Sequence, residues 1–136
     1  MTQPKLVDLK ALIVDDHLIV RTQMDRALKN MGFMHVDQAP TAGDAADKMS
    51  AVRYDVIFID WHMPGTNGYN LMQQFREDRD YDRVAFVIVS VDSEERSISK
   101  ATKAGAIAYV VKPVTESALH DTVRKVLNWL EQPRSA

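Results

Sequence analysis

The chain of 136 residues carries 17 Lys and Arg against 19 Asp and Glu, a formal net charge of −2, with 46% hydrophobic residues, 26% charged residues and no cysteine. That length suits one compact domain with a real core, and the balanced composition speaks against disorder, a coiled coil or a general attraction to nucleic acid. Disulfides, thiolate metal sites and a thiol nucleophile are excluded. There is no apolar run near the roughly 20 residues of a bilayer span and no apolar core in Met1-Thr2-Gln3-Pro4-Lys5, so a cytoplasmic chain is expected.

Residues 1–9 read as a polar lead-in, after which Lys10-Ala11-Leu12-Ile13-Val14 forms a first strand that ends on Asp15-Asp16. Val20, Met24, Ala27, Leu28 and Met31 then recur on one face at helical period, with Gly32 as the stop. A short strand from Val36 to Ala39 leads into Pro40-Thr41. Thr41 is placed to cap a second helix whose small apolar face is Ala42, Ala45, Ala46 and Met49. Val56-Ile57-Phe58-Ile59 reads as a strand buried on both faces, and it stops abruptly on Asp60 and the loop residues Trp61-His62-Met63-Pro64-Gly65.

A third helix is expected from Gly68 to Glu77, with Leu71, Met72 and Phe75 inward, followed by the polar linker 79–83. A fourth strand carries Val87-Ile88-Val89 to Ser90. Ser93-Glu94-Glu95 reads as a helix start with Ser93 as the hydroxyl cap, and acids in a first turn are favoured by the helix dipole. The body of that helix, Ile98, Ala101 and Ala104, is poor in large apolar residues, so it is expected to be the least firmly packed of the helices. Gly105 ends it. Ala108-Tyr109-Val110-Val111 then delivers Lys112-Pro113, and 115–130 forms the last helix, with Leu119, Val123, Val126, Leu127 and Leu130 in one stripe and 132–136 as a frayed tail.

Strand and helix alternate five times. The expected fold is α/β and doubly wound, a flavodoxin-like five-stranded parallel sheet of order 2-1-3-4-5 with five helices, in a single domain over 1–136 whose core runs from about 8 to 131. In that order strands 1 and 3 adjoin at the switch point, which brings Asp15, Asp16 and Asp60 within a few ångströms of one another. Three carboxylates in one crevice repel unless protons or a cation offset them. Oxygen donors without cysteine suit a hard divalent ion, Mg²⁺ in a cell, with Mn²⁺ able to substitute. Such an ion prepares a site for a phosphoryl group, with Lys112 as a second positive charge, Ser90 as a hydroxyl donor and Asp60 as the nucleophile. Taken singly, each residue has a plainer role as turn former, cap or solvated lysine; their coincidence on four strand ends points to shared chemistry. A cis bond at Lys112-Pro113 would aim the ammonium over the sheet.

Asp15-Asp16, Asp60 followed by Met63-Pro64-Gly65 and Gly68, Ser90, and Tyr109 with Lys112-Pro113 together resemble the receiver domains of two-component response regulators, over roughly residues 8 to 131. Asp60-Trp61 and Tyr109-Val110-Val111-Lys112-Pro113 look most like the single-domain chemotaxis regulators. The resemblance implies that Asp60 takes a phosphoryl group from the phosphohistidine of a sensor kinase. It implies that Asp15, Asp16, Asp60 and the backbone carbonyl of His62 surround Mg²⁺, and that Lys112 contacts the phosphoryl oxygens. Ser90 would swing toward the phosphoryl group and Tyr109 would turn inward as the switch pair. The face of helix 4, strand 5 and helix 5 would then bind a downstream protein, such as a flagellar motor switch component or a relay protein, with a phosphatase as a further partner. The protein itself is expected to be a monomer with no direct contact to nucleic acid or membrane, and no enzyme beyond promoting its own phosphorylation and dephosphorylation.

Departures from the family pattern matter as well. Val91 stands where the family usually has a small residue and is expected to narrow the approach to Asp60, while His62 and Asp92 occupy positions that tune loss of the phosphoryl group. His17, His35 and His120 are assigned nothing. Trp129 is read as packing, and Trp61 as a fluorescence reporter beside the site. Rival readings are a receiver portion or relay protein of a non-chemotaxis pathway, an aspartate-nucleophile phosphohydrolase and a flavodoxin-type nucleotide module. The phosphohydrolase needs a second Asp where His62 stands, and the nucleotide module needs amides in the first loop where Asp15-Asp16 would repel phosphate.

Overall fold

The computed structural model describes residues 5–133; residues 1–4 of the expected lead-in and 134–136 of the expected tail lie outside the described residues. The elements run β1 (Lys10–Val14), α1 (Leu18–Met31), β2 (His35–Ala39), α2 (Ala42–Ala51), β3 (Val56–Asp60), α3 (Gly68–Arg76), β4 (Ala85–Ser90), α4 (Glu95–Lys103), β5 (Ala106–Val111) and α5 (Glu116–Glu131). All five strands are parallel in the order β2-β1-β3-β4-β5, as the alternation and length predict.

The apolar runs of β1, β3 and β4 are explained by cover on both faces, since side chains of successive strand residues point to opposite sides. Leu12, Val14, Ile57, Ile59, Phe86 and Ile88 pack on one side with Ala45 and Met49 of α2, Leu71 and Met72 of α3 and Ala101 of α4. Ala11, Ile13, Val56, Phe58, Val87 and Val89 pack on the other with Met24 and Leu28 of α1 and Leu119, Val123 and Val126 of α5. Every residue of β3 is buried, so its last residue, Asp60, is carried into the protein by the strand itself.

Four details differ from the expectations. The lead-in is not merely polar: Leu6–Asp8 forms a 3-10 turn and Leu9 is buried in the second cluster. The linker after α3 holds a second such turn, Arg79–Tyr81, whose start is capped by Asp78. Ser93 does not cap α4. Glu94 occupies the cap position without a side-chain bond, and Asp92 takes over the polar role, accepting from the Glu94 N–H at 2.9 Å and from the Ser97 hydroxyl at 2.5 Å. A carboxylate one residue earlier is a better acceptor than a hydroxyl. The strand expected from Val36 starts at His35. Thr41 and Thr115 do cap α2 and α5, accepting from the Asp44 and Ala118 N–H groups. Ala101 is the one buried residue of α4, in keeping with its thin apolar face.

Candidate functional site

Asp15 and Asp60 leave the ends of neighbouring strands, and their side chains are 2% and 4% exposed. One ligand atom from each of Asp15, Asp16, His17 and Asp60 falls within 4.8 Å of the others. Lys112, beyond β5, reaches across β4 to place Nζ 2.8 Å from Asp15 Oδ2 and 3.4 Å from Asp60 Oδ2. The Lys112-Pro113 peptide is cis, and the Lys112 N–H donates to Ser90 O at 2.7 Å. Ser90 is fully buried, and its Oγ accepts from the Asp92 N–H at 3.1 Å. The strand ends named in the sequence do converge.

Burial, followed by the Asp15 charge, raises the Asp60 pKa above the usual carboxylate value, against the opposing pull of Lys112 and of the His62 N–H, which donates to Asp60 Oδ1 at 3.3 Å. For Lys112 burial works against the charged form, but hydrogen bonding and attraction from Asp15, with help from Asp60, outweigh it and leave the pKa raised. A single ammonium faces the acids of Asp15, Asp16 and Asp60, so the pocket keeps an excess of negative charge. Asp15 Oδ2 is buried and faces the Lys112 ammonium at 2.8 Å. This surplus of carboxylate charge over a single ammonium fits a divalent cation.

The loops around the pocket are tied to the sheet. The Trp61 N–H donates to Val89 O, and the Gly68 N–H donates to Trp61 O, each at 2.9 Å. Trp61 stacks on Tyr69 at 5.0 Å between ring centres and meets Tyr109 edge-on at 6.4 Å. Lys100 of α4 lies over this pair, 4.7 Å from the Tyr69 ring and 5.9 Å from Trp61. The Tyr109 hydroxyl donates to Asp92 O at 2.7 Å, and burial raises its pKa. The Asp92 carboxyl is held below its usual range, first by the Ser97 hydroxyl and then by the Glu94 N–H. Val91 is 71% exposed and, with Lys112, lines a groove of about 610 Å³ between α1 and the start of α5.

His17 corrects the sequence reading, which gave it no partner. It is the N-cap residue of α1, its Nδ1 lies 2.9 Å from Asp15 Oδ1 and 3.2 Å from Asp16 Oδ1, and its N–H donates to Asp15 Oδ1 at 2.8 Å. The signal was the contiguous Asp15-Asp16-His17, three potential ligands in a row. Arg21, also unassigned, donates to Asp15 O at 2.7 Å and so fixes the β1–α1 turn. His62 is exposed and stacks beside Trp61, while Trp129 packs on the second core cluster with the Arg76 guanidinium 5.7 Å from its ring.

Comparison with known proteins gives the same picture over most of the chain. A chemotaxis protein CheY from Pseudomonas aeruginosa is 30% identical over 118 residues, 87% of this chain and 95% of its own length. Chemotaxis protein CheY-3 of Vibrio cholerae is 28% identical over 123 residues, 90% and 95% of the two chains. The solved structure of Vibrio cholerae CheY4 superposes with a TM-score of 0.81 at 26% identity, covering 88% of this chain and 98% of that one. The family model described as the response regulator receiver domain matches residues 11–124, from the first residues of β1 into α5, and the chain belongs to that family.

Proposed function

We propose that this receiver is a phosphorylation-driven switch in which Asp60 accepts a phosphoryl group from the phosphohistidine of a sensor kinase. The observation that carries the reading is the placing of Asp60, buried at the end of β3 with the Lys112 ammonium 3.4 Å from its Oδ2. An Asp60 oxygen forms a bond to phosphorus as the bond from phosphorus to the donor nitrogen breaks, and that nitrogen leaves with its electron pair. Lys112 meets the charge on the phosphoryl oxygens, and the buried site keeps bulk water from the acyl phosphate.

Asp15, Asp16, Asp60 and the His62 backbone carbonyl are the residues to hold Mg²⁺, or Mn²⁺ in its place, which when bound supplies positive charge against the three carboxylates and the phosphoryl oxygens. The dianionic group added at Asp60 draws the Ser90 hydroxyl away from the Asp92 N–H, and Tyr109, whose hydroxyl holds Asp92 O, follows the same loop. The face of α4, β5 and α5 then binds the output partner. The chemotaxis proteins among the relatives favour a flagellar motor switch component as that partner and a cytoplasmic, monomeric regulator; a relay protein is the alternative. His62, Val91 and Asp92 around the mouth set the lifetime of the phosphoryl group.

The test is incubation with acetyl phosphate and Mg²⁺ followed by intact-mass measurement. One base-labile phosphoryl adduct is expected on the wild type, none on Asp60→Asn, and suppression by EDTA; an adduct that survives Asp60→Asn would overturn the assignment. Lys112→Ala should still accept the group but lose phosphorylation-dependent partner binding.

A further inference from the structure

We infer that His17 is a nitrogen donor to the acidic pocket, which biases the site toward first-row transition ions that accept imidazole over Mg²⁺. The inference rests on the reading of the pocket as a cation site and adds a residue to it. His17 Nδ1 stands 2.9 Å from Asp15 Oδ1 and 3.2 Å from Asp16 Oδ1, and with an Asp60 oxygen these atoms span no more than 4.8 Å. Donors on opposite sides of one ion are about 4 Å apart when each metal–ligand distance is roughly 2 Å, so a small inward shift lets one ion touch all four groups. The backbone favours that shift. The His17 N–H is bonded to Asp15 Oδ1, which pins its Cα at the pocket, while the side chain is 62% exposed and the ring can turn without disturbing the core.

A second feature is the charge balance: Asp15 and Asp60 share the one Lys112 ammonium, at 2.8 and 3.4 Å, which leaves carboxylate charge in the pocket for a cation to offset. Mg²⁺ takes oxygen ligands and keeps its waters, whereas imidazole suits ions that rise in affinity from Mn²⁺ to Ni²⁺. His62 is the contrast. It stacks on Trp61 and is not in the group of converging ligands among the described residues.

Calorimetric titration with MgCl₂, MnCl₂ and NiCl₂ tests this on the full chain, comparing wild type with His17→Phe, and Asp15→Asn to measure ion binding elsewhere on the surface. The ratio of Ni²⁺ to Mg²⁺ affinity is expected to fall about tenfold or more in His17→Phe. Pulsed electron paramagnetic resonance of bound Mn²⁺ should show coupling to an imidazole nitrogen in the wild type and lose it in His17→Phe. Equal ratios, or a wild-type spectrum without nitrogen coupling, overturn the inference. The acetyl phosphate reaction run in Mg²⁺ on the same wild-type sample separates the two failures: an adduct at Asp60 with no His17-dependent ratio refutes only the nitrogen donor, and no adduct refutes the phosphoacceptor reading.

Discussion

Asp60 is nearly inaccessible and shares its pocket with Asp15, so the ionised form of its carboxyl bears the cost of both conditions. Its pKa lies higher in the folded protein than the unfolded value of about 3.9, which means that the fold holds the proton more tightly than the unfolded chain does. Stability contributed by that proton is present below the unfolded value and lost as pH rises through the folded one. Asp60→Asn, which cannot ionise, is therefore expected to melt above the wild type in EDTA at pH 7, with the gap closing at acid pH and on saturation with Mg²⁺. Thermal melts across that range check it, and a variant less stable at pH 7 would count against the electrostatic account. The residues legible in the sequence, Asp15, Asp16, Asp60, Ser90 and Lys112, all lie at or just past strand ends, where topology alone brings them together. His17 was legible only as a neighbour in Asp15-Asp16-His17; its place in the pocket depends on how the β1–α1 turn folds back through the bonds from its own N–H and from Arg21.

At the scale of elements, the caps show where local rules suffice. Thr41 and Thr115 each stand immediately before the first residue of a helix, and both cap as expected. Ser93 is not the cap because α4 starts one residue later, with Glu94 in the cap position, while the Asp92 carboxylate holds the Glu94 N–H and the Ser97 hydroxyl. α4 is thereby tied to the end of β4 through one side chain, with the Lys100 ammonium over Tyr69 and Trp61 as a further tether. A cation over an exposed ring is worth only about 0.5–1 kcal/mol, and Ala101 alone anchors the helix in the core. Hydrogen exchange should therefore be faster in α4 than in α5, where Leu119, Thr122, Val123 and Val126 are buried. Slower exchange in α4 would remove it as the element that moves most readily.

For the whole molecule, strand order followed from alternation, chain length and the right-handed crossover, since few other arrangements cover both faces of a parallel sheet. The register shift between β4 and β5 near Phe86 and Val87 had no signal in the sequence; it lies where the Arg76 guanidinium stacks over Phe86 and donates to Gly105 O just before β5. Gly68 is another constraint that only the packed molecule shows. A Cβ there would collide with Asp60 O and Ile59 Cγ2, so Gly68→Ala is expected to cost about 3 kcal/mol in urea unfolding, and a midpoint equal to the wild type would show that α3 can retreat. That contact has a directional consequence. With the first turn of α3 pressed against the Asp60 carbonyl, displacement of that residue toward the helix is blocked. Under the proposed chemistry, a displacement starting at Asp60 would be steered away from α3 and toward the side that carries Tyr109 and α4.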